Sequence, residues 1–218
     1  VTTLEMDIAV TADGVVVVSH DPALNPDITR DRDGRWLDAP GPLIRSLTLE
    51  ALRGHDVGRI RPGSRYASLF PAQEAVDGER VPTLAEVIGL TRRLGANGVR
   101  FNIETKVFPD RPDRTVPAEE MAERLAQVLA AEAVEDRAIV QSFDWRTLKW
   151  FQANRPGIAL AFLTSAHGGA DTVSPRHGRP SIWLAGHDPA AFGGSIPRTV
   201  QAAGGRIWSP DHRGLAEA

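Results

Sequence analysis

The sequence predicts an α/β fold built on a parallel sheet, and three observations carry that prediction. Short aliphatic runs alternate with longer stretches in which apolar residues recur at helical spacing, the pattern of successive βαβ units. Asp13-Gly14 lies between two β-rich runs, a strong hairpin signal because glycine tolerates positive φ at no steric cost. The third observation is chemical. Carboxylates recur on one face of strands that are otherwise apolar, which marks those strands as carriers of a site.

Taken in order, a strand is expected over Thr3 to Val10, then the Thr11-Ala12-Asp13-Gly14 turn and a return strand over Val15 to Val18. Residues 22–81 are rich in Pro, Gly, Asp and Arg, with only Leu47 to Leu52 suggesting a short helix. So long a stretch with little periodic structure is usually functional. Thr83 and Glu86 form a capping box, and Leu84, Val87, Ile88 and Leu94 follow at helical spacing until Gly95. A strand is expected over Val99 to Lys106, then an amphipathic helix near Pro117 to Glu132 with Met121, Leu125, Val128 and Leu129 on one stripe. Strand, helix and strand follow at Ala138 to Phe143, Asp144 to Ala153 and Ile158 to Thr164. After a Gly/His-rich loop come a short apolar stretch at Ile182 to Ala185, a weak helix near Pro189 to Ala203 and a strand at Arg206 to Ser209.

Composition narrows the function. The chain has 218 residues, enough for one sizeable core, and reads as a single domain, 1–218. Lys+Arg 25 against Asp+Glu 28 leaves a formal charge of −3, so no basic face is implied and nucleic acid is not expected as a partner. No apolar run approaches membrane-spanning length. With Cys at 0, disulfides and thiolate metal sites are excluded, while cytoplasm and periplasm stay equally open. Oligomeric state is not determined by the sequence.

The chemistry concentrates at a few positions. Side chains alternate along a strand, so Glu5 and Asp7 share one face and Leu4, Met6 and Ile8 the other. With so much aliphatic sequence around it, the strand is expected to be buried, where a carboxylate pair is costly unless a cation or donors compensate it. In the later strand Asn102, Glu104 and Lys106 share a face, opposite Phe101 and Ile103. The bland alternative is a Glu104–Lys106 ion pair at a sheet end. Glu5, Asp7 and Glu104 together would make an all-oxygen cluster suited to a hard divalent cation such as Mg²⁺ or Ca²⁺ rather than zinc. His20 follows the valine run at a comparable position, where Asp21 could orient its imidazole for acid/base work.

These residues resemble a known family. Leu4-Glu5-Met6-Asp7 followed by Asp13-Gly14-Val15-Val16-Val17-Val18-Ser19-His20-Asp21 resembles the opening of glycerophosphodiester phosphodiesterases. Val81-Pro82-Thr83-Leu84-Ala85-Glu86-Val87 resembles that family's Pro-Thr-Leu-x-Glu helix start, Ile103-Glu104-Thr105-Lys106 its Glu-x-Lys strand, and Gln141-Ser142-Phe143 its next strand end. The likeness runs from Thr3 to about Asp211. It implies a (β/α)8 TIM-barrel fold, with residues 22–81 as an insertion beside the pocket. It also implies hydrolysis of small-molecule glycerophosphodiesters to sn-glycerol 3-phosphate and an alcohol. By the same resemblance Glu5, Asp7 and Glu104 hold one divalent cation, Ca²⁺ or Mg²⁺. His20 is one of two acid/base histidines, Lys106 contacts the phosphate, and Phe143 and Trp208 wall the substrate site.

Two features depart from the pattern. The family's other histidine, in a His-Arg-Gly motif upstream of the Glu-x-Asp pair, would precede Val1. A His212-Arg213-Gly214 triplet lies at the other end and reads as a coincidence within a loop. Leu215-Ala216-Glu217-Ala218 reads as the first turn of a helix, and five or six parallel strands fall short of a closed barrel. The sequence therefore reads as a barrel truncated at both ends, expected to be poorly stable or inactive as 218 residues alone. A lyase-type phosphodiesterase on the same barrel and a non-catalytic phosphoester-binding relative are the alternatives. His55, His167, His177 and His187, and the arginines between Arg30 and Arg65, are expected to be solvated.

Overall fold

The computed structural model describes residues 1–212. Its centre is a six-stranded sheet in the order β2-β1-β3-β4-β5-β6. The strands are β1 (Thr3–Val10), β2 (Val16–Val18), β3 (Arg100–Thr105), β4 (Ala138–Ser142), β5 (Ala159–Thr164) and β6 (Ile207–Pro210). β2 runs antiparallel to β1, and every other pairing is parallel. Gly14 takes φ +78°, as the hairpin turn requires, and the Arg124 guanidinium carbon lies 2.9 Å from where a Cβ would stand.

The helices return the chain between parallel strands. They are α1 (Leu49–Leu52), α2 (Arg65–Leu69), α3 (Leu84–Arg93), α4 (Ala118–Ala131), α5 (Trp145–Asn154) and α6 (Ile196–Ala202). α3 opens on the expected capping box, in which the Glu86 backbone N–H donates to Thr83 Oγ1 and the Thr83 N–H donates to Glu86 Oε2. Leu94 departs from the expected stripe and is 74% exposed, because it is the C-cap and lies past the last residue that faces the sheet. On α4 the stripe forms as expected through Met121, Leu125 and Leu129, all fully buried. The helix expected near Pro189 to Ala203 divides into a 3-10 turn, Pro189–Phe192, and α6. Gly193 and Gly194 separate them with φ of +66° and +82°, values that no right-handed helix accommodates.

Two apolar clusters result. The larger joins one face of the sheet (Met6, Ile8, Val10, Phe101, Ile103, Val140) to Leu84, Ile88, Met121, Leu125, Leu129, Leu148 and Phe151 of the helices. Burial of each large side chain contributes roughly 1.5–3 kcal/mol. The smaller joins Ala9 and Val17 to Leu24, Ile44, Leu52 and Val81, and belongs to residues 22–81. Ala9 alternates onto the same face as Glu5 and Asp7, so the insertion is seated directly beyond the carboxylates. Polar links bind the insertion as well. Arg30 Nη2 donates to Asp56 Oδ2 at 2.6 Å and Asp77 Oδ1 at 2.5 Å, and Arg59 also pairs with Asp77. Arg30 is thus a half-buried tie and not the solvated side chain expected, because two carboxylates converge on it.

Candidate active site at the carboxyl ends of the strands

The register of three strands assembles the site. β1 and β3 align Glu5 with Asn102 and Asp7 with Glu104, and β4 places Gln141 beside Glu104. Residues nearly a hundred positions apart therefore become neighbours on one sheet face. Glu5, Asp7 and Glu104 each offer an oxygen, and these atoms lie within 4.8 Å of one another. Lys106, just past β3, reaches Asp7 Oδ1 at 3.2 Å and Glu104 Oε1 at 2.9 Å. The ion pair and the acidic cluster thus coexist.

Burial differs across the cluster. Glu104 is buried, Asp7 half-buried and Glu5 exposed, contrary to the buried pair expected. The reason is that β1 buries only one face against helices. Its other face meets Asn102, Gln141 and Lys106 instead of apolar side chains. Burial pushes the Glu104 carboxyl up to about 7, against the pull of the Lys106 ammonium. Glu5 is also raised, by burial first and then by the Asp7 charge. Burial depresses the Lys106 ammonium, but the Glu104 and Asp7 carboxylates outweigh it and the net shift is upward. Three carboxylates with one ammonium leave excess negative charge, and oxygen-only donors of this kind fit a hard divalent cation.

Gln141 was not expected to take part. Its Nε2 donates to Glu5 Oε1 at 2.7 Å, while its Oε1 accepts from Asn102 Nδ2 at 3.0 Å. The amide therefore fixes the most exposed carboxylate through a chain of two hydrogen bonds. The strand-end Gln141-Ser142-Phe143 motif was the available signal, but its amide partner is distant in sequence.

The hairpin delivers His20. The Ser19 N–H donates to the Asp7 carbonyl at 2.9 Å, which ties the end of β2 to the acidic strand. His20 Nδ1 lies 3.0 Å from Asp21 Oδ1, the orienting contact that the sequence suggested. That hydrogen bond raises the His20 pKa and lowers that of Asp21. Asn25 Nδ2 donates to the other Asp21 oxygen at 2.8 Å, so the insertion helps hold the dyad.

His20, Asp21, Glu104 and Lys106 open on a cavity of about 610 Å³. Phe143 is in its wall, as are Phe108, Trp183, Arg111, Arg114 and Arg176 from the loops after β3 and β5. Trp208 is not among the lining residues. Its indole N–H donates to Thr164 Oγ1 at 2.9 Å on the far strands of the sheet. His177 is exposed, whereas His55, His167 and His187 are half-buried, contrary to the solvated positions expected. His55 Nδ1 lies 3.3 Å from the Leu52 carbonyl and His187 rests against Trp145, contacts that cover part of each ring. His167 Nε2 is buried without a partner. His212 is exposed beside Asp211, and the rest of the His-Arg-Gly triplet, with Leu215 to Ala218, lies outside the described residues.

A parallel α/β sheet with a carboxylate cluster, a lysine and a histidine toward the carboxyl ends of its strands defines the barrel class in which such ends form the site. The chain belongs to the Glycerophosphoryl diester phosphodiesterase family, whose pattern it matches over residues 1–187. It is 28% identical over 164 residues to a glycerophosphodiester phosphodiesterase of Caldanaerobacter subterraneus subsp. tengcongensis, covering 73% of this chain and 54% of that protein. The chain thus spans about half the length of that curated relative. A solved structure from Silicibacter pomeroyi, described under the same family name, superposes with a TM-score of 0.77 at 27% identity, covering 100% of this chain and 69% of that one. A phosphodiesterase of Oleispira antarctica, solved with its product sn-glycerol 3-phosphate, shares the fold at TM-score 0.54 and 21% identity, covering 100% and 76% of the respective chains. Among the described residues no helix is long and apolar enough to cross a membrane.

Proposed function

We propose that this chain forms part of a metal-dependent phosphodiesterase that hydrolyses glycerophosphodiesters to sn-glycerol 3-phosphate and an alcohol. The observation that carries the reading is the meeting of Glu5, Asp7, Glu104 and Lys106, of which Glu104 and Lys106 line a cavity together with His20. Glu5, Asp7 and Glu104 would hold Ca²⁺ or Mg²⁺, which when bound neutralises charge on the phosphoryl oxygens. Lys106 adds a fixed positive charge where negative charge accumulates in the transition state. His20, kept in place by Asp21, gives its proton to the leaving alkoxide as the bond from phosphorus to that oxygen breaks. A water oxygen becomes the new phosphorus substituent, and its released proton restores the imidazole. Phe143 in the cavity wall would pack against the substrate, while a contact from Trp208 would require that ring to turn from Thr164.

The test is turnover of glycerophosphodiesters by the full-length protein, followed by phosphorus NMR. Expected are a sn-glycerol 3-phosphate signal with Mg²⁺ or Ca²⁺ and its loss on chelation. A cyclic phosphate product would mean a lyase. Among the described residues His20 is the histidine that lines the cavity. Tight binding of sn-glycerol 3-phosphate without turnover of any diester would establish a phosphoester-binding relative instead.

A further inference from the structure

The cavity wall holds more than the groups that hydrolysis needs, and the part supplied by the loops after β3 and β5 has a character of its own. Arg111, Arg114 and Arg176 line it together with Asp110, Asp171 and the rings of Phe108 and Trp183. The two carboxylates are already committed. Asp171 Oδ1 accepts the backbone N–H groups of Val173 and Ser174, both at 2.9 Å, and Asp110 stands 3.6 Å from Arg111 Nε. Phe108 is committed too, because the Arg111 guanidinium lies 4.9 Å over its ring. A quaternary ammonium group would therefore meet a resident guanidinium over the Phe108 ring.

Donors, by contrast, are left over. Among the described residues Arg114 is half-buried and has no carboxylate within ion-pair distance. Trp183 is 9% exposed, and its indole N–H is buried without an acceptor, a costly state unless a ligand supplies one. The loop that bears Arg114 is clamped from outside. Arg45 Nη1 donates to the carbonyls of Asp113 at 2.8 Å and Thr115 at 3.2 Å, on either side of it. The guanidinium is thus presented on a fixed backbone, which lowers the ordering cost of binding.

We infer that this loop-built part of the wall is an anion subsite, so the preferred substrates are glycerophosphodiesters whose alcohol carries a further phosphate or carboxylate. This rests on the phosphodiesterase reading of the carboxylate cluster. Arg114 is the reader, with the Trp183 N–H as a second donor and Arg111 and Arg176 supplying field, since a planar guanidinium matches such oxyanions.

The experiment compares glycerophosphoinositol with glycerophosphoinositol 4-phosphate, which differ only by the added anion, using the full-length protein. The expected result is a KM about tenfold lower for the phosphorylated compound, a ratio that falls toward one in Arg114→Ala and is partly retained in Arg114→Lys. Equal KM values for the pair, or a lower KM for glycerophosphocholine than for either, would overturn the inference. If no diester is hydrolysed, calorimetry with inositol 1,4-bisphosphate decides the subsite separately. Saturable binding weakened by Arg114→Ala supports it, and no binding to the unaltered protein sinks it, whatever becomes of the hydrolysis reading.

Discussion

The sheet with its helices and the insertion of residues 22–81 are held together in different ways. In the sheet region periodic apolar stripes meet, and one cluster runs from Met6 to Val200 through every layer. The cluster of the insertion takes Leu24, Ile44, Leu52 and Val81 from it, against Ala9 and Val17. Charged groups complete it, with Arg30 joining Asp56 and Asp77, and Asp56 also accepting the N–H groups of Gly58 and Gly78. The lesson is a division of labour. The periodic half sets strand register and hence the carboxylate cluster, and the networked half supplies Asn25, Pro26 and Pro40 to the cavity wall.

The contrast can be tested from its strongest consequence downward. Glu104→Gln should lower phosphodiester turnover about 10³-fold, on the scale of losing one preorganised electrostatic partner, while circular dichroism stays native. Unchanged turnover would detach the acidic cluster from the chemistry. Phe151→Ala, in the large cluster, should cost about 4 kcal/mol in urea melts, more than any single substitution in the insertion. Next comes pH. Glu104 binds a proton up to about 7 in the folded chain against 4.5 as its ordinary value, so between those values the native state holds more protons than the unfolded one. Metal-free stability should therefore be full below pH 4.5 and fall as pH rises through 7, a loss on the order of 2–3 kcal/mol. Stability that rises over that window, or an equal slope in Glu104→Gln, would refute the assignment.

Smaller effects separate the two regions. Arg30→Ala should cost about 2 kcal/mol by removing the guanidinium that joins Asp56 to Asp77, and hydrogen exchange should quicken in residues 22–81 well before the sheet. Uniform quickening would mean that the insertion is not an independent unit. Gln141→Leu should weaken Mg²⁺ or Ca²⁺ binding about tenfold, the usual cost of removing a group that orients a ligand, with Gln141→Glu failing to restore it because the new charge repels Glu5. Calorimetric titration of the metal measures both.

The same division explains what the sequence made legible. β1 has the bounds its alternation predicts, and period two puts Glu5 with Asp7 and Glu104 with Asn102, while the β1–β3 register joins the two sets. Helix caps were local and visible, as at Thr83 and Glu86. Leu94 was misplaced because periodicity does not mark where a stripe passes the end of its helix. Arg30 and Gln141 were missed for a shared reason. Their roles depend on partners brought in by the fold, Asp77 at 47 and Glu5 at 136 residues' separation, and no spacing rule reaches that far. Trp208 lay at a strand end like the others, but β6 is at the opposite side of the sheet from β1.

The β1–β2 hairpin has a final consequence. It pairs Ile8 with Val18 and Val10 with Val16, and thereby gauges the separation between the acidic strand and His20. A register shift of one residue would invert every side chain that follows. The five-residue link from Thr11 to Val15 therefore cannot change length without resetting that register. The same single-residue deletion that residues 22–81 would absorb in a loop would, in that link, carry His20 away from the sheet face that holds Glu5 and Asp7.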